Sequence, residues 1–207
     1  MSNIIAVYGA SGHGKVVADI AKANGYKDII FVDDGLNDYI SFEEFLNKFG
    51  NLIPIALGIG ENRIRGIIYN KLKANNMKIQ TLIHPSSVIS KSVIIGEGSV
   101  IMPSVVVNAD AKIGKGVILN SSCVIEHDNV IDDFAHVSPN VSLAGNVKVG
   151  SFSHIGIGAC VIQGKNIGEH TIIGAGSVVI DDIPSLCVGV GVPAKVIRKN
   201  KPPSPDG

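Results

Sequence analysis

An aliphatic residue recurs at every sixth position through the C-terminal half of this chain. Stepping by six from Ile83, each position as far as Val179 carries Ile, Leu or Val. A six-residue period fits neither an α-helix nor the two-residue alternation of an ordinary strand. It predicts a solenoid of very short parallel strands, one for each hexad, with a turn after each strand.

Three hexads would close one triangular coil, so residues 18 apart should stack at about the 4.8 Å spacing of neighbouring strands. Four places after the aliphatic residue stands a small or β-branched residue that would fill the corner beside it. These residues are Ser87, Val93, Ser99, Val105, Ala111, Val117 and Cys123. Asn129 and Lys165 depart from this rule. Glycine often follows the aliphatic residue, as in Ile95-Gly96, and is expected to supply turn conformations that a Cβ would hinder.

The first eighty residues show a different pattern, in which short β-branched runs alternate with helical stretches. The predicted order is a strand at 4–8, a glycine turn at Gly9, Gly12 and Gly14, a helix at 15–24, a strand in "IIFVDDG", a strand near 53–59 and a helix near 61–75. This βαβ alternation predicts a small parallel sheet of Rossmann-like form.

The glycine turn of this first unit suggests a ligand site. A turn that leads into a helix N-terminus can hold phosphate through free N–H groups. Asp33 and Asp34 end the second strand, where acidic side chains can hold a ribose or a base. The spacing is G-x-x-G-x-G rather than the dinucleotide G-x-G-x-x-G, and the unit is half the usual size. A mononucleotide or nucleotide-sugar site therefore fits better, with a purely structural turn as the alternative.

Composition narrows the class of protein. The chain has 207 residues, is 45% hydrophobic and has a formal net charge of +0, which argues against a nucleic-acid binder. No apolar run reaches about 18 residues, so we expect a cytoplasmic protein without a membrane insertion. Its 3 cysteines include no Cys-x-x-Cys pair, so neither a disulfide framework nor a thiolate zinc site is expected.

Two histidines interrupt the aliphatic repeat. His127 stands two places after the inward Ile125, in a turn, and should point outward. Asp128 can orient its ring and raise its basicity, which suits a general base near pH 7. Glu126 could replace Asp128 as the helper, and a plain exposed turn histidine is the alternative.

A second histidine pair follows the 18-residue period. His136 comes nine residues after His127 and so cannot stack on it within one chain, although the two could meet across subunits. His154 comes 18 residues after His136 and should stack directly on it. Such a stack fits a ligand groove or a plain surface ladder equally well.

Several motifs together resemble a known family. They are "YGASGHGKVVADIA", "VDD", "GIGENRIR", "ILNSSCVIEHDNVIDDFAHVSPNVSLAGNVKVG" and "VGVPAKVI". They are similar to the bacterial nucleotide-sugar acetyltransferases of the PglD/NeuD family, most of all to the UDP-4-amino-sugar N-acetyltransferases of bacillosamine synthesis. The resemblance runs from Ile4 to about Arg198. It implies an α/β N-terminal domain followed by a left-handed parallel β-helix of hexapeptide repeats.

The resemblance also implies domains and assembly. Residues 1–82 would bind the nucleotide-sugar, and residues 83–198 would form the acetyltransferase β-helix. Residues 199–207 lie outside the resemblance and are expected to form a disordered tail. Acetyl-CoA would be the co-substrate, with no metal. The resembled enzymes are homotrimers whose sites lie between neighbouring subunits.

Site residues carry over position by position. His127 matches the general base of the family, and Asp128 replaces the glutamate that follows it there. The positions that match substrate contacts are His13, Gly14, Lys15, Asp33, Asp34, Gly60 and Asn120. Those that match acetyl-CoA contacts are His136, Gly145, Ile157 and Ala175. Lys15 and Ala175 depart from the family pattern, which has an apolar residue and a glycine at these positions.

We therefore predict an acetyl-CoA-dependent N-acetyltransferase that acts on the 4-amino group of a nucleotide-linked 4-amino-6-deoxy sugar. An O-acetyltransferase of the sialic-acid type is the nearest alternative. A γ-carbonic-anhydrase-like zinc site built from His127, His136 and His154 is a more distant one. A non-catalytic β-helix that only binds a sugar is the third.

Overall fold

The N-terminal unit is a three-stranded parallel sheet with helices around it. The structure, a computed structural model, describes residues 3–200. The elements are β1 (Ile4–Tyr8), α1 (Gly12–Ala23), β2 (Asp28–Val32), α2 (Phe42–Phe49), β3 (Ile55–Leu57) and α3 (Asn62–Ala74). The strand order is β2-β1-β3, with both pairs parallel.

Helix α1 begins earlier than the sequence pattern predicted. It starts at Gly12 rather than at residue 15, so His13 and Gly14 lie in its first turn and not in a preceding loop. The reason is the close approach of this turn to the end of β1. A Cβ on Gly14 would overlap the carbonyl oxygen of Gly9, and glycine alone lets the helix start there.

Helix α2 was missed by the hydrophobic pattern. It is held at its start by a capping box, in which the Ser41 side chain accepts from the Glu44 N–H and the Glu44 carboxylate accepts from the Ser41 N–H. The S-x-x-E signature that encodes this cap is present in the sequence and could have located the helix.

The C-terminal unit is a parallel β-helix of two-residue strands. The strands are β4 (Leu82–Ile83), β5 (Val88–Ile89), β6 (Ile94–Ile95), β7 (Val100–Ile101), β8 (Val106–Val107), β9 (Lys112–Ile113), β10 (Ile118–Leu119), β11 (Val124–Ile125), β12 (Val130–Ile131), β13 (His136–Val137), β14 (Ser142–Leu143), β15 (Lys148–Val149), β16 (His154–Ile155), β17 (Cys160–Val161), β18 (Asn166–Ile167), β19 (Ile172–Ile173) and β20 (Val178–Val179). A hairpin of β21 (Cys187–Val190) and β22 (Lys195–Lys199) follows.

Every third strand pairs in register, which confirms the predicted triangular coil. The first face is formed by β4, β7, β10, β13, β16 and β19, the second by β5 to β20 in steps of three, and the third by β6 to β18. Lys199, which the sequence assigned to the tail, is the last residue of β22 and pairs with Cys187. Asn200, also assigned to that tail, donates its backbone N–H to the Leu186 carbonyl at 2.6 Å, and residues 201–207 lie outside the described residues.

The inward side chains form the predicted aliphatic ladder. Ile101, Leu119, Val137 and Ile155 are each 0% exposed. Most of the small residues at the corners are buried as expected, whereas Ser87 and Val93 of the first coil are half-buried. Asn129 is buried at an equivalent corner. The Asn129 side chain accepts a hydrogen bond from the backbone N–H of Val147, so a polar residue is tolerated at this corner because it is bonded to the next coil.

The glycines after the aliphatic residues serve a purpose other than the one predicted. Gly96 is not among the residues with positive φ, but a Cβ on it would lie 2.5 Å from the backbone of the next coil. These glycines therefore let successive coils approach. The left-handed turn conformation falls two residues later, at Gly98, and non-glycine residues such as Asp128 occupy the equivalent turn elsewhere.

The two units are joined along α3. An aromatic ladder with the 18-residue spacing runs up the β-helix, with Phe134 stacked on Phe152 at 5.0 Å and Phe152 stacked on His170 at 5.0 Å. Tyr69 of α3 packs edge-on against Phe134. Gly66 lies so near Phe152 that an added Cβ would be 2.8 Å from its ring, so α3 rests directly on the ladder.

The inward aliphatic ladder predicts that two isoleucines of the β-helix contribute very differently to stability. Ile101→Ala removes a side chain that is 0% exposed and should lower the free energy of unfolding by about 2–5 kcal/mol, because a cavity remains. Ile94→Ala is the matched control, since that side chain is 62% exposed, and it should change stability by roughly 0.5 kcal/mol or less. Denaturant unfolding measures both. Equal losses would contradict the inward and outward assignment.

Candidate functional site

Gly9, Gly14 and Gly58 bring β1, α1 and β3 together at the carboxyl end of the small sheet. An added Cβ would lie 2.7 Å from the Gly58 carbonyl oxygen if placed on Gly9, and 2.8 Å from the Gly9 carbonyl oxygen if placed on Gly58. The side chain of Ser11 makes no capping hydrogen bond to α1. The first N–H groups of α1 therefore lack a side-chain cap, as a phosphate site requires.

Asp33 and Asp34 end up at this same edge, but both carboxylates are already bonded. Asp33 accepts from the Ala10 N–H at 2.9 Å and from the Gly35 N–H at 2.9 Å, which ties the end of β2 to the glycine turn. Asp34 accepts from Lys71 Nζ at 2.6 Å, from the Phe42 N–H at 2.8 Å and from the Tyr8 hydroxyl.

These contacts set the charge states of the Asp34 cluster. Burial acts to raise the pKa of Asp34, but the hydrogen bonds from Lys71, Phe42 and Tyr8 outweigh it and lower that pKa. Burial and the Asp34 carboxylate raise the pKa of the Tyr8 hydroxyl. Asp34 is thus a charged anchor at neutral pH, and Lys71 places a cation beside it. Lys15, in contrast, is exposed on α1.

His13, His136 and His154 meet between the two units. The ring centroids of His13 and His136 are 6.5 Å apart, and a Cβ on Gly60 would lie 3.7 Å from His13. His136 and His154 stack at 4.7 Å with an interplanar angle of 14°, which confirms the predicted stack. The stack is not an open surface ladder, because the N-terminal unit covers part of it. Asn120 Nδ2 lies 3.1 Å from His136 Nε2.

Their surroundings keep these three histidines neutral. Burial lowers the pKa of His136 to about 3, helped by the nearby His154, Arg65 and His13. Burial and Arg65 lower the pKa of His13 to about 4, and the same two causes lower that of His154. Within the described residues, His13 Nε2 is buried without a hydrogen-bond partner. The backbone of Gly60 lies near His136 and acts to raise its pKa, against the larger effect of burial. One polar atom between the units, Nε2 of His13, is therefore available to a ligand.

His127 lies in the opposite kind of environment. Its side chain is 61% exposed, and its Nδ1 is 2.8 Å from Asp128 Oδ2. The hydrogen bond to Asp128 raises the pKa of His127 above its usual value, against an opposing effect of desolvation. The aspartate reaches the ring in spite of its short arm. Glu126, the alternative helper, instead accepts a hydrogen bond from Asn108 at 2.9 Å.

Gly145, in the next coil, packs directly against the ring of His127. An added Cβ there would lie 2.6 Å from Nε2 and 2.6 Å from Cε1 of the His127 ring. The Gly145 N–H has no hydrogen-bond acceptor anywhere in residues 3–200. The side of His127 that faces away from Asp128 is therefore open, with a free N–H group nearby.

One chain does not bring all the predicted site residues together. His127 follows β11 on the second face, whereas His136 belongs to β13 on the first face under the N-terminal unit. Ile157 and Ala175 stack 18 residues apart at the corner after the first face, and Ile157 is 53% exposed. His127 with Gly145, and His136 with His13, thus form two separate half-sites in one chain.

The alternative zinc site has no support in the geometry. Within residues 3–200 no group of three His, Cys, Asp or Glu side chains could hold a metal ion. The three histidines of that hypothesis are divided between two faces. Of the cysteines, Cys123 is buried at a corner of the coil, and burial raises the pKa of its thiol to about 12.

No helix among residues 3–200 is long and apolar enough to cross a membrane.

Comparisons with known proteins agree with this architecture. The family description "PglD N-terminal domain" matches residues 4–72, and "Bacterial transferase hexapeptide (six repeats)" matches residues 92–127. The acetyltransferase domain of PglB from Neisseria gonorrhoeae FA1090, solved with acetyl coenzyme A, is 39% identical with a TM-score of 0.89 over 95% of this chain and 100% of that one. The chain belongs to the PglD family of hexapeptide-repeat acetyltransferases.

Two further relatives are informative. GDP-perosamine N-acetyl transferase from Caulobacter crescentus, solved as a histidine-to-alanine mutant with CoA and GDP-perosamine, is 35% identical with a TM-score of 0.89, covering 94% of this chain and 97% of that one. UDP-N-acetylbacillosamine N-acetyltransferase of Bacillus subtilis (strain 168) is 38% identical over 109 residues, which is 47% of this chain. That match spans 50% of the curated relative.

Sequence reasoning missed Arg65 and Lys71 as residues of the site region. Both lie on α3, and both complete networks whose acidic or carbonyl partners come from other elements. "GIGENRIR" contains Arg65, and a charged residue on the buried side of a predicted helix was the signal that could have identified it.

The contrast between the two kinds of histidine can be measured by NMR titration of the imidazole nitrogens. Between about pH 8 and about pH 5, His127 should take up a proton because its pKa is raised, while His136 should stay neutral because its pKa is about 3. Asp128→Asn should lower the pKa of His127, since it removes the charge that favours the imidazolium. Protonation of His136 before His127 would contradict this account.

Proposed function

We propose that this protein transfers the acetyl group of acetyl-CoA to the 4-amino group of a nucleotide-linked 4-amino-6-deoxy sugar, with UDP as the nucleotide. The observation that carries the proposal is the exposed His127, held by Asp128 through Nδ1 and open at Nε2. The relatives support the substrate class, since two are named for nucleotide-linked or bacillosamine amino sugars and two are solved with CoA or acetyl-CoA.

His127 acts as general base in this mechanism. The sugar amine attacks the carbonyl carbon of the thioester, and Nε2 takes the proton that the nitrogen loses. The Gly145 N–H is free to donate to the oxyanion that forms on the carbonyl oxygen. The C–S bond then breaks, the amide remains, and the proton passes from His127 to the departing CoA sulfur.

Asp128 helps in two ways. Its hydrogen bond fixes the tautomer with the proton on Nδ1, so that Nε2 carries the lone pair. Its charge also stabilises the imidazolium that forms when His127 accepts the proton. The left-handed turn conformation of Asp128, at φ 60°, places the carboxylate beside the ring of the preceding residue.

The nucleotide-sugar binds, in this proposal, at the carboxyl end of the small sheet. The N-terminal turn of α1, with His13, Gly14 and Lys15, holds the phosphates, and Asp33 and Asp34 contact the nucleoside. Gly60 and Asn120 border the sugar. Acetyl-CoA lies along the β-helix, near His136 on the first face and near the turn residues Gly145, Ile157 and Ala175.

The protein acts as a homotrimer. The separation of the two half-sites in one chain supports this assembly, because His127 and the N-terminal unit lie on different faces. Threefold packing of the β-helices sets the His127 half-site of one subunit against the His136 half-site of its neighbour. In the assembly the site is therefore complete only between subunits.

A thiol-release assay with acetyl-CoA tests the proposed function. We expect turnover with at least one UDP-linked 4-amino-6-deoxy sugar, and the GDP- and dTDP-linked sugars complete the panel. Turnover only with free or CMP-linked sialic acid would move the protein to O-acetyl transfer. Release of no thiol with any acceptor would leave a binding protein and refute the proposal.

His127→Ala should lower kcat by about 10²–10⁴-fold, the usual contribution of a general base. The KM values should change little, because the ring accepts the proton in the chemical step and does not hold the bound substrates. His84→Ala is the matched control, since His84 lies in a turn of the first coil and its ring, within residues 3–200, bonds only Ser86, and it should leave kcat unchanged. A His127→Ala kcat within about threefold of the unmodified enzyme would refute the base assignment.

Light scattering coupled to gel filtration measures the assembly. The expected mass is about three times the 21.6 kDa of one chain. Activity should fall on dilution together with the trimer, since each site needs two subunits. A monomer with full activity would contradict a shared site.

A further inference from the structure

Arg65 is a charged side chain enclosed between the two units. It is 1% exposed, although its residue type is almost never fully buried without a charged partner. Burial lowers the pKa of its guanidinium to about 9, so it stays charged at neutral pH. Within residues 3–200 no carboxylate lies within ion-pair distance of it.

Neutral oxygens from both units surround the guanidinium. Nε donates to the Gly116 carbonyl at 2.7 Å. Nη1 donates to the carbonyls of Ile59 at 3.2 Å and Gly60 at 3.0 Å. Nη2 donates to Asn62 Oδ1 at 2.9 Å and to the Phe134 carbonyl at 2.8 Å, with the Ala135 carbonyl at 3.4 Å. All five N–H donors of the fork are thereby used.

Packing alone does not account for this arrangement. Removing an arginine from water is energetically costly, and a hydrophobic residue of similar size would fill the same space without that cost. The planar fork provides something that an apolar side chain does not, namely fixed directions toward several acceptors at once.

The segments held by Arg65 are the ones that carry the two facing histidines. On one side it holds Gly60, which lies against the ring of His13. On the other side it holds Phe134 and Ala135, the residues directly before His136. Asn62, itself bonded to Arg65, adds two hydrogen bonds to the Phe152 and Ser153 carbonyls at 3.0 and 3.1 Å, directly before His154.

We infer that Arg65 is a positioning residue that sets the distance between the nucleotide-sugar half-site at His13 and Gly60 and the β-helix at His136. This inference rests on the proposed function, because the distance matters only if a sugar is held between these residues. Strand β13 is fixed independently by its pairing with β10 and β16. Loss of Arg65 should therefore displace the loop at Gly60 and leave the β-helix in place.

The kinetic consequence is a different effect on the KM values of the two substrates. Arg65→Met should raise the KM for the nucleotide-sugar and lower kcat by about tenfold or more, since a displacement of about 1 Å can cost 10²-fold. The KM for acetyl-CoA should stay within about twofold, because Gly145, Ile157 and Ala175 belong to the undisturbed β-helix. Arg65→Lys keeps the charge but cannot reach both sets of carbonyls. Its KM for the nucleotide-sugar should therefore lie between those of the unmodified enzyme and Arg65→Met.

Lys73 offers a matched control on the same helix. It joins α3 to the β-helix because Lys73 Nζ lies 3.0 Å from the Glu97 carboxylate. The Tyr69 hydroxyl donates to the same carboxylate at 2.7 Å. Lys73 does not contact Gly60 or Ala135. Lys73→Met therefore removes an interdomain bond away from the histidines. Its KM values and kcat should match those of the unmodified enzyme.

The outcomes are separable. An active unmodified enzyme with an Arg65→Met variant of unchanged KM would overturn the inference and leave the proposed function standing. Equal rises in both KM values, or the same effect in Lys73→Met, would also overturn it, since the contact would then only hold the units together. An unmodified enzyme without turnover would refute the proposed function and with it the inference. If Arg65→Met fails to fold, Arg65→Lys decides by the same split.

Discussion

The parallel register of the coils is the constraint on which the rest of this structure depends. Each two-residue strand pairs with the strand 18 residues away, and the inward aliphatic ladder holds that register because a slip would expose it. A fixed register also fixes the outward positions. It stacks His136 on His154, Phe134 on Phe152, and the ring of His127 on the backbone of Gly145.

The same register makes histidine serve two chemical purposes. At a corner of the coil, His127 faces solvent and pairs with a carboxylate, so its pKa rises. On a face covered by the N-terminal unit, His136 loses water and lies near a guanidinium, so its pKa falls. The exposed ring is suited to take a proton, whereas the enclosed rings are suited to bind a neutral or polar group without becoming charged. Environment rather than residue type separates the base from the binding residues.

Much of the candidate site was accessible from the sequence because it follows local rules. The six-residue period located His127 in a turn and stacked His154 on His136, and the structure confirms the stack. Glu126 bonds Asn108, 18 positions before it, as the coil register directs. The period did not reveal that Asp128 reaches the ring, since that contact depends on the left-handed turn at residue 128. It also misjudged the glycines such as Gly96, because their role is contact between coils and not turn conformation.

The sequence by itself determined the β-helix, its three faces and the βαβ order of the first unit, because hydrophobic period and turn residues act over a few positions. Only the tertiary structure decided how the two units meet. Arg65, Gly66 and Asn62 read as ordinary residues of a helix, and their meaning comes from carbonyls and rings that lie 51 to 91 positions away. Such partners leave no periodic trace in the chain, since a backbone carbonyl is offered by every residue alike.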